Sequence, residues 1–181
     1  MRKVYQYSHL GGAQILAVDY PAIDREIDGV IASVRVAGKT KVSREKTMRG
    51  RLLYSPKELN ARFREAFRAK GYEELRDTYT IELPNYANTI RSAFKQVDFA
   101  KDKVLVEVQF GKYAFMFYDL AKFQYFFNER KADVGVEIVP TYGLHKQMST
   151  GVSYGEQLIF DIERLRRHFP AVPVKVILVD A

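Results

Sequence analysis

The sequence predicts a layered domain of the α/β or α+β class, and three observations carry the prediction. Short runs dense in Val and Ile, at Val104–Phe110, Asp133–Val139 and Val174–Val179, have the length and composition of buried strands. Between them lie segments whose apolar residues recur at helical spacing. With 181 residues, 47% of them hydrophobic, the chain can build a core, and no Pro/Gly/Ser-rich linker or internal repeat divides it. Strands alternating with helices build a sheet covered by helices. One domain over residues 1–181 is therefore expected.

In chain order, Val4–Tyr7 reads as a short strand or an extended arm. Asp19 can cap a helix whose second position is Pro21, with Ile23, Ile27, Val30 or Ile31, and Val34 on its apolar face. "KTKVSREKTMRGR", Lys39–Arg51, carries one acid, Glu45, among six basic residues and reads as a basic loop, solvated or ligand-binding. Ser55-Pro56-Lys57-Glu58 is a capping-box start for a helix that buries Leu59, Phe63 and Phe67, with Gly71 as its stop. Tyr79–Leu83 reads as a strand and Asn88–Phe94 as a short helix. Met116–Asn128 is an aromatic-rich helix whose "FQYFFNER" end suits a core or a dimer interface rather than base stacking. Thr141–Ser153 is a loop with polar donors. Tyr154–Phe169 is a helix turning Leu158, Ile162 and Leu165 inward. Val174–Val179, apolar throughout, suits a central strand covered on both faces.

Composition narrows the chemistry. There are no cysteines, which excludes disulfides, thiolate zinc sites and thiol nucleophiles and suits a reducing cytoplasm. Three histidines, His9, His145 and His168, lack ligand spacing. No apolar run is long enough for a membrane span, and the N-terminal residues lack the apolar stretch of a secretory signal. The formal charge of +7 and a pI near 9.5 suit a polyanionic partner such as nucleic acid, without supplying any geometry for it.

One strand breaks its own pattern. In Val104–Phe110 ("VLVEVQF"), Val104, Val106, Val108 and Phe110 share one apolar face, while Leu105, Glu107 and Gln109 share the other. An unpartnered buried carboxylate is costly, so that second face must meet water, a donor network or a metal. Asp98 lies nine residues earlier, and Asp102-Lys103 between them can turn the chain. If the two segments pair antiparallel, Asp98 and Glu107 converge, an arrangement of oxygen ligands that hard divalent cations prefer. The Val108 carbonyl can complete the set. The alternative is an edge strand with one solvated face, where Glu and Gln are ordinary.

The residues around this strand resemble a known family. "DFAKDKVLVEVQFGKY" is similar to the active-site segment of the BglII/BstYI type II restriction endonuclease family, a branch of the PD-(D/E)xK nuclease superfamily. "YSHL", "REKTMRGRLLYSPKELN", "GKYAFMFYDL", "DVGVEIVP" and "MSTGVSYGE" resemble the same family in order, nearest to its BstYI branch, so the likeness spans nearly the whole chain. The resemblance implies a mixed central sheet flanked by helices. It also implies a bacterial or archaeal cytoplasmic homodimer that cuts both strands of duplex DNA with Mg2+, alongside a protecting methyltransferase in the host.

By position, the resemblance makes Asp98, Glu107 and Gln109 catalytic and assigns metal to Asp98, Glu107 and the Val108 carbonyl. Gln109 stands where most of the superfamily has Lys; a neutral amide can orient water and phosphate but cannot act as a cation or base. Val97 stands where many relatives have Pro. Lys112 falls at a base-reading position and can donate to guanine O6 and N7. Ser149, Thr150 and Ser153 fall in the second reading loop, where hydroxyls that donate and accept tolerate either purine; Ser153 alone also reads as a helix cap. Lys41, Arg44 and Lys46 become phosphate contacts. The implied site is a GATC-centred palindrome, R-GATC-Y rather than A-GATC-T, cut to leave 5′ GATC overhangs. The alternatives are an inactive sequence-specific DNA-binding protein of the same fold, a structure-specific repair nuclease, and a hydrolase of small phosphoesters.

Overall fold

The computed structural model describes residues 1–181. β1 (Arg2–His9) leads into α1 (Gly12–Asp19) and α2 (Pro21–Ser33). A small ribbon of β2 (Lys41–Val42) and β3 (Leu52–Leu53) precedes α3 (Pro56–Arg68). Then come β4 (Glu73–Ile81), β5 (Ile90–Lys101), β6 (Val104–Val108), α4 (Tyr113–Asn128), β7 (Val134–Pro140), the single turn α5 (Tyr142–His145), α6 (Gly155–Leu165) and β8 (Val174–Asp180).

Six strands form one mixed sheet in the order β1-β8-β7-β6-β5-β4. The middle three, β6, β7 and β8, run parallel, and β1, β5 and β4 are antiparallel to their neighbours. Parallel strands in the middle of a sheet are covered on both faces. Accordingly Val104–Val108, Val134–Pro140 and Val174–Val179 are buried residue by residue. On one face, α1, α2 and α3 bring Leu16, Ile27, Phe63 and Phe67 onto Phe99, Val106, Val136 and Ile177. On the other, α4 and α6 bring Leu120, Phe123, Phe126, Leu158 and Ile162 onto Leu105, Val139 and Val176. The aromatic run after Met116 is thus core at Phe123 and Phe126. No helix is long and apolar enough to cross a membrane.

Several local expectations are corrected. Asn88–Phe94 is not a helix: from Ile90 it belongs to β5, paired antiparallel with β4 in an outer ribbon. Its residues never carried a helical apolar stripe; Ile90 and Phe94 are both exposed. Asp19 caps nothing, because it ends α1, and Tyr20 alone separates the two helices as N-cap of α2. The basic segment is a hairpin rather than an open loop, closed by Lys41 opposite Leu53 and Val42 opposite Leu52. Ser55 caps α3 through the Glu58 amide, but the Glu58 carboxylate turns away and accepts from the Thr40 hydroxyl. Leu165 ends α6 exposed, and the N-cap of that helix is Tyr154, so Ser153 is not its cap.

Candidate nuclease centre

The site is built where β5 and β6 part. The two strands pair only from Phe99 opposite Val106 to Lys101 opposite Val104. Asp102 and Lys103 close the turn, both with positive φ (46° and 65°), as tight two-residue hairpins require. Continuing this register sets Asp98 opposite Glu107, and the Asp98 amide donates to Glu107 Oε1 at 3.3 Å. A β-bulge sharpens the placement. Against β4, Glu73 faces Ala100 while Leu75 faces Val97, so β5 spends one extra residue across Asp98 and Phe99. Val97 and Phe99 consequently pack into opposite cores, and Asp98 between them lines the same cleft as Glu107.

The apolar face of β6 packs as its pattern predicts: Val104, Val106, Val108 and Phe110 all join the core under α3, with the Phe110 ring 5.9 Å from Phe63. The edge-strand alternative for the other face is overturned. β6 lies between β5 and β7, and Glu107 is 3% exposed. That face meets a donor network instead. Lys122 of α4 donates to Glu107 Oε1 and pairs with Asp119 Oδ1 at 2.6 Å. Gln109 Nε2 donates to Asp119 Oδ2 at 3.1 Å. Asp98, Glu107, Gln109, Asp119 and Lys122 thus line one open cleft of about 340 Å3, with Phe94, Lys95 and Tyr118 at its rim.

Behind this cleft sits Glu137, directly opposite Glu107 in the β6–β7 register and fully buried. No N–H or O–H donor of the protein reaches either of its oxygens. Burial, followed by Asp119 and Glu107, pushes its pKa well above the usual carboxylate range, and the protonated group can donate to Asp119. Burial and the Asp119 charge also raise Glu107, against the pull of Lys122. For Lys122, burial opposes the ammonium, but Glu107 and Asp119 outweigh it and raise its pKa above the ordinary value. Lys122 bonds both Glu107 and Asp119, and Glu137 behind them has no donor.

A divalent cation fits this donor chemistry. Asp98 and Glu107 supply carboxylate oxygen, the buried acids are short of positive charge, and the Val108 main chain lies beyond the β5–β6 ladder. The side chains do not, however, form a ready cage of three or more ligands.

The remaining expected residues lie along one connected face. Gln109 is tied to β7 through its amide and the Ile138 carbonyl. Two residues on, Gly111 accepts from the Ser153 amide at 2.8 Å, which fixes the 149–153 loop beside Lys112, the exposed N-cap of α4. Ser153 itself is buried, whereas Thr150 is exposed and Ser149 partly so. That loop is in turn fastened to the basic hairpin. Lys41 donates to Ser149 Oγ, and Thr150 donates to Glu45 through both its amide (3.1 Å) and its hydroxyl (2.9 Å). Arg44 and Lys46 are exposed on the hairpin.

Three participants escaped the sequence reading, though each left a signal. Asp119 and Lys122 are the only charged residues in α4 and stand three apart. Glu137 interrupts an apolar strand just as Glu107 does.

The family model for the restriction endonucleases BglII/BglIII matches residues 4–179. The chain belongs to the BglII/BglIII restriction endonuclease family. It is therefore a site-specific deoxyribonuclease. The chain is similar to the solved structure of BglII complexed with a DNA 16-mer, with a TM-score of 0.75 at 20% identity, covering 99% of this chain and 78% of that one. Free BglII gives a TM-score of 0.69 at 18% identity, covering 99% and 80%. At these identities the structures show a common fold, the mixed sheet flanked by helices. No curated protein sequence matches the chain.

Proposed function

We propose that residues 1–181 act as one endonuclease domain, working as a homodimer, that makes Mg2+-dependent double-strand breaks at R-GATC-Y and leaves 5′ GATC overhangs. The observation that carries this reading is the convergence of Asp98, Glu107 and Gln109 on one cleft, where with Asp119 three carboxylates face two lysines, Lys122 and Lys95. Asp98, Glu107 and the Val108 carbonyl would hold the metal, which when bound polarises the phosphate, lowers the pKa of bound water and neutralises the departing oxygen. Gln109, fastened by Asp119, orients water or a phosphate oxygen through its amide. It takes up no proton, so activation of the nucleophile rests on the metal or on a substrate phosphate.

Lys112, Ser149 and Thr150 read bases, with Ser153 behind them fixing the loop on Gly111. Lys41, Arg44 and Lys46 contact phosphates from the hairpin. The fastening of hairpin to loop supports their acting as one DNA-facing unit. A two-fold dimer suits a palindrome. Such an enzyme requires a host methyltransferase that protects the same sites.

Short duplexes carrying A-GATC-T, G-GATC-C, A-GATC-C or C-GATC-G test this reading. The first three are cut in Mg2+ and the last is not; cutting of A-GATC-T alone removes the degenerate specificity. One observation favours a second reading, an inactive DNA-binding protein: Lys122 occupies Glu107, and no three side chains are gathered for a metal. Tight retention of GATC duplexes with no cleavage in Mg2+ or Mn2+ selects it.

A further inference from the structure

Lys122 is given no role in the cleavage proposed above, yet its ammonium pairs with both Glu107 and Asp119. It reaches there from the third turn of α4, across a helix otherwise uncharged except for Asp119. Its side chain is 14% exposed, those of Glu107 and Asp119 are 4% and 3% exposed, and it bonds both. Glu137 adds a further carboxyl group behind them with no donor. An ammonium surrounded in this way neutralises the carboxylate that a metal would otherwise claim. Two cations of like charge cannot share one buried carboxylate without strong repulsion.

We infer that Lys122 is the resident counter-ion of Glu107, which must leave that carboxylate when a divalent cation binds. The inference rests on the assignment of Glu107 as a metal ligand. Asp119 gives the exchange its economy: Lys122 has a second partner at 2.6 Å, one helical turn away on its own helix, so release from Glu107 leaves it anchored rather than buried and unpaired. Asp119 also holds Gln109, so a shift of Lys122 is felt at the amide through their shared carboxylate. Lys122 is a positioning residue in this account. It sets the metal affinity of the free enzyme and holds the Glu107 carboxylate in place until the metal arrives.

The test is Mn2+ binding to the full chain without DNA at pH 8, read from the free Mn2+ signal in electron paramagnetic resonance. Wild type is compared with Lys122→Met, Lys122→Gln and Glu107→Gln, each checked for folding by circular dichroism. The Lys122 variants are expected to bind Mn2+ about tenfold more tightly than wild type, because a competing cation has gone. A purely structural lysine would leave affinity unchanged or weaken it. Unchanged or weaker binding by the folded Lys122 variants, with binding by wild type lost in Glu107→Gln, overturns the inference and leaves the metal assignment standing. Binding by Glu107→Gln equal to wild type, or no binding by any of the four, overturns both. Should the Lys122 variants fail to fold, 15N resonances of the lysine ammonium groups are followed in wild type as Mg2+ is added. Movement of the Lys122 resonance with Mg2+ occupancy supports displacement, and a resonance that stays fixed to saturation overturns it.

Discussion

Asp98 and Glu107 reach one cleft for different reasons, and their substitution separates chemistry from folding. Glu107 is placed by strand alternation and Asp98 by the β5–β6 register that sets it opposite, next to a bulge. Asp98→Ala and Glu107→Ala are expected to slow cleavage at least about a thousandfold, roughly 4 kcal/mol of barrier, with specific DNA binding kept in gel shifts. Loss of the fold in both would mark them as structural. Gly111 offers a gentler probe. A Cβ there would meet Gln109 Oε1 at 2.4 Å, and that atom ends a flexible side chain. Gly111→Ala should therefore turn Gln109 away at little cost to stability. Single-turnover cleavage is expected to fall about 10- to 100-fold while the melting temperature holds, and an unchanged rate would remove Gln109 from the chemistry. At this scale the sequence was legible wherever a charge interrupted an apolar run, as at Glu107. Glu137 gave the same signal, but its meaning depends on lying opposite Glu107, and register between strands thirty residues apart is not written in either strand. Lys122 was hidden for a similar reason: only the packing of α4 on the sheet brings it to β6.

Elements buried on both faces declared themselves, and elements with a free face did not. β6, β7 and β8 were readable because every residue had to be apolar or explained. α3 was readable from its cap and its Leu59, Phe63, Phe67 stripe. The outer part of β5 was misread because its exposed residues carry no period of either kind. α1 went unseen because it is eight residues long and, apart from Gly12, buries only Leu16. Its position depends on Gly12, where a Cβ would meet the Val174 backbone at 2.4–2.6 Å. Backbone cannot step aside, so Gly12→Ala is expected to cost about 1–3 kcal/mol, read as a lower midpoint in urea. A second element, the basic hairpin, is argued from charge. Replacing Lys41, Arg44 and Lys46 with Ala should weaken binding to all duplex sequences and make the log–log salt dependence shallower by about 2 to 3. An unchanged slope would take the hairpin off the DNA.

At the scale of the molecule, residue patterns alone gave a layered α/β or α+β protein but no strand order. The mixed sheet came from the likeness of ordered motifs to a nuclease family, and the match over residues 4–179 with the shared BglII fold bears it out. The arrangement also ties the proposed catalytic strand to the proposed reading loop and hairpin. The end of β6 carries Gln109, then Gly111 holds the 149–153 loop, and that loop holds the basic hairpin. We propose that this connected face makes a metal-dependent cut at one degenerate palindrome. It is tested most directly by digesting unmethylated plasmid with the purified protein, in Mg2+ and in EDTA, and sequencing every end. Discrete 5′ GATC ends at R-GATC-Y in Mg2+, and intact plasmid in EDTA, are the predicted result. Ends without a common sequence, or intact plasmid in Mg2+ while GATC duplexes are still bound, would contradict it.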